Sequence, residues 1–269
     1  MTRVALGEIA RAQGVRLISL ETVDSTNDEA RRLIELGERG PLWVVAAQQT
    51  KGKGRLGRTW LSPQGNLHAS LIVNACDEMR HAPQLGFVAG VATLKALRHL
   101  CPDEAFALKW PNDLLLNGDK IGGILLENII TPSGDARQPT TSMSIIGIGV
   151  NCETAPEGLP YPTRALRSIG ANAPSALQLI GELTDAFVAT LALWRRGLDF
   201  EKIRKEWLSC AAGLGDEIQV ALAHETLIGR FEEIDLTGRL VLSCTEGKRL
   251  IEAGDVLLGP RPALTETLR

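Results

Sequence analysis

Apolar and polar positions along the chain alternate between two periods, and the switches mark its elements. Residues 15–20 form a short apolar-rich run that predicts a strand. A capping pattern at Thr26-x-x-Glu29 predicts a helix from there to about Leu36, with Gly37 as its stop. Residues 42–47 are a compact apolar run of the kind buried strands show, and 66–74 predict a second strand. Over 83–100, Leu85, Val88, Val91, Leu94, Leu97 and Leu100, with Ala89 and Ala92 between them, spread apolar surface so widely that the helix must be largely buried.

Short strands follow at 106–110 and 114–116. Asn117-Gly118 then signals a tight type I′ hairpin into a strand from Lys120 to Glu127. Residues 132–139 read as a loop leading to one more strand at 144–151. Beyond a stretch rich in Pro and Gly, a helix is expected to start at Pro174 and run to Arg195-Arg196, and another covers roughly 199–210. From Gly215 the pattern shortens to strands: Ile218, Val220 and Leu222 alternate, then 229–234, a turn at Thr237-Gly238, 240–243, and a last strand opening at Gly254-Asp255-Val256. That texture predicts a small β-barrel module.

Composition narrows the classes. With 269 residues, 44% hydrophobic and 23% charged, the chain is long enough for a sizeable core and ordinary for a globular protein. The formal net charge of -3 argues against bulk binding to nucleic acid. Five cysteines, odd in number, scattered and never in a Cys-x-x-Cys pair, read as reduced thiols. The histidines have no metal-ligand spacing, and neither a secretory h-region nor an apolar run of membrane-spanning length is evident. The expectation is a cytoplasmic protein with no metal site of its own and no membrane partner.

Against this even background, Lys51-Gly52-Lys53-Gly54-Arg55-Leu56-Gly57-Arg58-Thr59-Trp60 concentrates cations and glycines beside a tryptophan. Glycine lets backbone N–H groups approach closely, and the cations supply charge where a phosphate or carboxylate would sit. The loop formally matches a Gly-x-Gly-x-x-Gly dinucleotide or kinase pattern. Thr59 to Gly65 runs into a turn instead of opening a helix, and the other kinase elements are missing.

Taken with this loop, Asp24-Ser25-Thr26-Asn27, Gln48-Gln49, Ser62-Pro63 with Gly65-Asn66-Leu67, Lys109-Trp110-Pro111-Asn112-Asp113, Lys120 with Gly122-Gly123-Ile124-Leu125, and Gly147-Ile148-Gly149-Val150-Asn151 occur in an order that resembles the biotin–protein ligases. The likeness covers nearly the whole chain. It implies an α+β fold, a mixed and largely antiparallel sheet with helices related to class II aminoacyl-tRNA synthetases, over 1–213, followed by an SH3-like β domain over 214–269. It implies biotin and ATP as substrates, Mg²⁺ with the ATP, a biotinyl-5′-AMP intermediate, and a biotin carboxyl carrier protein as acceptor, with the enzyme a monomer or homodimer.

By the same resemblance, Ser25, Thr26, Asn27 and Gln49 meet biotin, Lys53, Gly54 and Arg55 fold over the adenylate, and Lys120 lies beside the biotin carboxylate and the α-phosphate. Arg58, Trp60, Asn112 and Asn151 belong with Lys53 and Arg55 to the nucleotide side; Trp60 or Trp110 is the candidate for stacking on adenine. Lys120, Arg55 and Asp113 are the expected catalytic residues, Asp113 assisting the attacking amine or Mg²⁺. Lys53 stands where the family loop usually has arginine, which keeps the charge but loses the bidentate fork. Only about twenty residues precede the Ser-Thr-Asn motif, too few for the DNA-binding unit some members carry. A lipoate ligase or octanoyl transferase of the same fold and a non-catalytic biotin sensor are the competing readings.

Overall fold

The computed structural model describes residues 4–74, 79–131 and 141–258; Cys76 and the loop expected over 132–139 lie outside them. A seven-stranded sheet runs in the order β1-β2-β3-β7-β6-β5-β4, where β1 is Arg16–Val23, β2 Leu42–Gln49, β3 Leu67–Val73, β4 Phe106–Lys109, β5 Asp113–Leu116, β6 Asp119–Thr131 and β7 Thr141–Val150. Only β1 and β2 are parallel; every other pair is antiparallel, as the mixed α+β expectation has it. Asn117 and Gly118 both take positive φ (51° and 78°), the geometry a type I′ turn demands.

Alternation along the strands assigns the two faces. Trp43 and Val45, Leu67, Ala69 and Leu71, and Ile146, Ile148 and Val150 point into the main core. That core is roofed by α1 (Glu8–Ala12), α3 (Gln84–Leu100), α4 (Ala176–Trp194) and α5 (Phe200–Leu208), and Trp43 meets Phe187 of α4 edge-on at 5.6 Å. The intervening residues Leu42, Val44, Ile72, Met143 and Ile145 pack instead under α2 (Thr26–Glu35), against Ala30 and Ile34. Further along that second face the side chains shrink to glycine or turn polar, and only the first turn of α2, through Thr26 and Asn27, reaches them. The site lies there.

The capping box expected at Thr26 is not formed. Ser25 is the N-cap residue and makes no side-chain cap, Glu29 pairs with Arg32, and the Thr26 hydroxyl is drawn to Gln49. The reciprocal cap occurs at Ser175 and Gln178, so the helix expected from Pro174 starts two residues later. With its flank to Gly197, α4 has the length and mean hydropathy (1.4) of a membrane span, contrary to the expectation of no such run; its Leu179, Ile180, Leu183 and Phe187 are buried in the core.

A second sheet has the order β11-β10-β9-β8-β12, with β8 Glu217–Ala221, β9 Thr226–Ile234, β10 Leu240–Cys244, β11 Gly247–Ile251 and β12 Asp255–Leu258. No ladder joins β11 to β12 among the described residues, so the sheet is open where a barrel was expected. Its Ile218, Phe231, Ile234 and Leu240 belong to the same core as the large sheet. At the junction Leu108 exchanges backbone hydrogen bonds of 2.8 Å with Cys210 and Ala212, and the Trp110 indole N–H donates to Gly238 O at 3.2 Å. Trp110 is therefore a core residue, and the alternative of Trp110 as a stacking surface is set aside.

Candidate active site

A cavity of about 1120 Å³ opens on the glycine-bearing face of the large sheet. Ser25, Thr26, Asn27, Gln49, Lys53, Gly54, Arg55, Arg58, Trp60, Asn112, Asp113, Lys120 and Asn151 all line it, so the residues singled out from the sequence as site residues reach one space, Trp110 excepted.

One end is an uncharged hydrogen-bonding nest. Ser25, Thr26 and Asn27 are buried where β1 turns into α2. Gln49 Oε1 accepts from the Thr26 N–H (2.7 Å) and hydroxyl (3.0 Å), while Gln49 Nε2 donates to Ser62 Oγ (2.7 Å). Ser70, on β3, lies 2.6 Å from Asn27 Oδ1 and 2.7 Å from Thr26 Oγ1; Asn27 Nδ2 donates to Glu127, which Arg31 also grips. A hydroxyl has one proton, and those of Thr26 and Ser70 are committed inside the nest, so Thr26 can offer a ligand only a lone pair, while Ser25 can still donate or accept and the Asn27 and Gln49 amides each keep one N–H. A Cβ at Gly147 would come within 2.4 Å of Asn27 Oδ1 and force that side chain to shift.

The other end is cationic. Lys120 Nζ is 2.6 Å from Asp113 Oδ1 and Lys109 Nζ is 3.0 Å from Asp113 Oδ2, so one carboxylate serves two ammonium groups. Arg55 donates to Asn112 Oδ1 (3.1 Å) and stands 3.9 Å from Asp255; Arg58 pairs with Asp255 directly. Arg55, Arg58, Lys109 and Lys120 thus share Asp113 and Asp255, a surplus of cations suited to a multiply charged anion. Burial pulls Arg55 below its ordinary pKa, opposed by the charges of Asp255 and Asp113. Burial pushes the Asp255 carboxyl up, but the Arg58 hydrogen bond and the charges of Arg58, Arg55 and Lys109 outweigh it and hold it below the usual carboxylate range. A carboxylate with a lowered folded pKa stabilises the fold above its unfolded pKa and loses that contribution as pH falls through the folded value, so this clasp is intact at neutral pH.

Between the two ends runs the cationic loop, with a single turn at Arg55–Gly57 in which Leu56 takes positive φ. It is tied down at both ends: Lys53 Nζ to Asp28 Oδ1 of α2 (2.5 Å), Arg58 to Asp255 of β12. Lys53 therefore faces helix α2 and is spoken for by a carboxylate. Trp60 lies against the sheet over Gly149, where a Cβ would come within 2.6 Å of Nε1, and the Lys120 ammonium is 5.9 Å from its ring. Asn151 is buried at the end of β7, its amide 3.4 Å from Arg164 O.

Several contributors went unnoticed in the sequence. Ser70 and His68 are polar residues two apart on β3, and that spacing alone marks them as sharing a face. Glu127 likewise follows Gly123 and Leu125 along β6. Asp255 and Tyr161 arrive from distant, irregular or short elements and had no local signal. Burial holds the His68 imidazole below its ordinary pKa, the Pro63 carbonyl opposing this.

The sequence model of the Biotin/lipoate A/B protein ligase family matches residues 19–151. A biotin–[acetyl-CoA-carboxylase] ligase of Paracoccus denitrificans is 37% identical over 245 residues, 89% of this chain and 99% of that protein. The chain belongs to the biotin/lipoate A/B protein ligase family. Among solved structures, the Aquifex aeolicus biotin protein ligase in complex with biotin and ATP superposes on this family member with a TM-score of 0.73 at 28% identity, covering 90% of this chain and 97% of that one. The Leishmania major biotin protein ligase in complex with biotinyl-5-AMP gives 0.55 at 26% identity, covering 88% and 99%.

Proposed function

We propose that this chain ligates biotin to a lysine of a biotin carboxyl carrier protein in two steps. A biotin carboxylate oxygen attacks the α-phosphorus of ATP, the α–β phosphoanhydride bond breaks, and pyrophosphate leaves biotinyl-5′-AMP. A carrier lysine, as the free amine, then attacks the acyl carbon; AMP departs, the nitrogen loses a proton, and an amide remains. The observation carrying this reading is that a single cavity has an uncharged hydrogen-bonding nest at one end and surplus cations at the other. Biotin joined to AMP has that polarity. The ligands of the Aquifex and Leishmania relatives, biotin with ATP and biotinyl-5-AMP, support it.

In this reading Ser25, Thr26, Asn27 and Gln49 receive the ureido group, whose two N–H donors and one carbonyl suit the lone pairs and amide N–H groups left in the nest. Lys120 neutralises charge on the carboxylate and α-phosphate oxygens as the anhydride forms. Arg55 and Arg58 hold the loop over the phosphate, with Trp60, Asn112 and Asn151 on the nucleotide side. Lys53 anchors the loop to α2 through Asp28 rather than touching phosphate. Asp113 orients both lysines and stands ready for the incoming amine's proton.

Mg²⁺ belongs to the nucleotide substrate in this scheme. Among the described residues no group of three His, Cys, Asp or Glu side chains could hold a metal, and the Asp113 oxygens are already ion-paired. The tail from 214 is read as a separate module of SH3-like kind that completes the cavity through Asp255.

Incubating the protein with MgATP, an equimolar mixture of biotin, lipoate and octanoate, and a carrier domain should give a single biotinyl adduct on one lysine by intact mass and peptide mapping. A lipoyl or octanoyl adduct, or none, overturns the reading. For the nest, Gly147→Ala should weaken biotin binding roughly tenfold or more, since displacing Asn27 Oδ1 strands buried polar groups. Titration calorimetry, with the melting temperature as a check on folding, reads this; unchanged affinity would move the ureido site elsewhere.

A further inference from the structure

The Lys120 ammonium is held from three sides, and only one of the holders is an anion. Asp113 Oδ1 takes one of its donors at 2.6 Å, the Trp60 ring centroid is 5.9 Å away, and the Tyr161 centroid is 5.4 Å away. An aromatic face attracts a cation through its quadrupole. It does so without supplying a counter-charge, so the remaining N–H donors stay available to substrate oxygens. A second carboxylate in place of Tyr161 would hold the lysine as firmly and cancel its charge.

Tyr161 is itself anchored to the strand that carries Lys120. The Lys120 N–H donates to Pro162 O at 3.0 Å, the Arg164 N–H donates back to Lys120 O at 2.9 Å, and Thr163 Oγ1 closes the loop on Pro156 O at 2.5 Å. Pro156, Leu159 and Pro160 of this loop line the same cavity. The ring and the lysine it faces are thus registered by backbone bonds on either side of Lys120.

Resting on the functional reading above, we propose that Tyr161 is a positioning residue for adenylation: with Trp60 it forms a two-ring clamp that keeps the Lys120 ammonium aimed at the biotin carboxylate and α-phosphate while adding no counter-charge beyond the Asp113 it shares with Lys109. Tyr161→Ala should slow biotin-dependent pyrophosphate release roughly three- to tenfold with biotin affinity unchanged, the size expected of one partly desolvated cation–π contact. Tyr161→Phe should restore the rate, because the contact uses the ring and not the hydroxyl. Mono-, di- and trifluorinated phenylalanines at 161 should then slow it stepwise as fluorine drains the ring face. Equal rates across the fluorinated set, a Phe variant as slow as the Ala variant, or a parallel loss of biotin affinity would each overturn the proposal.

The contact can also be read without turnover. Tyr161 is the only tyrosine in the chain, so 3-fluorotyrosine labelling gives one ¹⁹F resonance. It should move on Lys120→Met; a fixed resonance sinks the clamp. Wild-type protein that releases no pyrophosphate with biotin and ATP sinks the functional reading instead, so the two failures are distinguishable.

Discussion

Replacing Lys120 with Ala is expected to slow biotin-dependent pyrophosphate release by roughly two to three orders of magnitude, the scale of losing one preorganised donor at a developing charge. The biotin dissociation constant should move by less than about threefold, because the Ser25–Gln49 nest is at the other end of the cavity. The variant should fold. Asp113 keeps Lys109 at 3.0 Å, so removing Lys120 leaves no unpaired buried carboxylate. Stopped-flow detection of pyrophosphate beside calorimetry of biotin separates the two quantities. Equal losses in both would make Lys120 a uniform binding contact and remove it from the chemistry.

Arg55→Gly is expected to let biotinyl-5′-AMP escape about tenfold to a hundredfold faster, since each ~1.4 kcal/mol of lost retention is a factor of ten. The guanidinium is mostly buried, bridges from the loop to Asn112, and reaches Asp255 only at 3.9 Å. A buried cation with so loose a partner has more to gain from a phosphate than an exposed one would, and charge-assisted contacts of that kind are worth about 1.5–3 kcal/mol. The Arg58–Asp255 and Lys53–Asp28 ties survive the substitution, which is why the loop should leak without falling open. Escaped anhydride acylates any exposed amine, so bystander proteins in the assay should become biotinylated. Unchanged release kinetics with unlabelled bystanders would show that the loop retains nothing.

What the sequence made legible is what it wrote in charge and glycine. Lys53, Arg55 and Arg58 stood out because cations crowded among glycines are unusual, whereas Asp113 and Lys120 were legible only through the ordered motifs that resemble the ligase family, and the three-dimensional cavity gathers all five. Helix α3 was visible for a different reason, its breadth of apolar positions. The capping box was misjudged because a local pattern competed with a tertiary partner: Gln49 on β2 claims the Thr26 hydroxyl that a cap would need. Five-residue α1 carries too few turns to show a period. Strand β11, with Lys248 and Arg249 exposed, lacks the apolar alternation by which the other strands of its sheet were found. Asp255 reaches the site only because the small sheet packs on the large one, a long-range event that no window along the chain records.

The shared ion pairs of the cavity also set how substrates arrive. The protein as a whole has a formal charge of -3, yet the mouth of the cavity gathers Arg55, Arg58, Lys109 and Lys120 around two carboxylates. Field lines from such a patch, focused between low-dielectric walls, draw a nucleotide inward from beyond contact distance and turn it phosphate-first. Their reach is about one Debye length, ~8 Å at physiological ionic strength and ~30 Å at 0.01 M. Capture of the nucleotide is therefore a diffusional step that quickens in dilute salt and slows as salt rises.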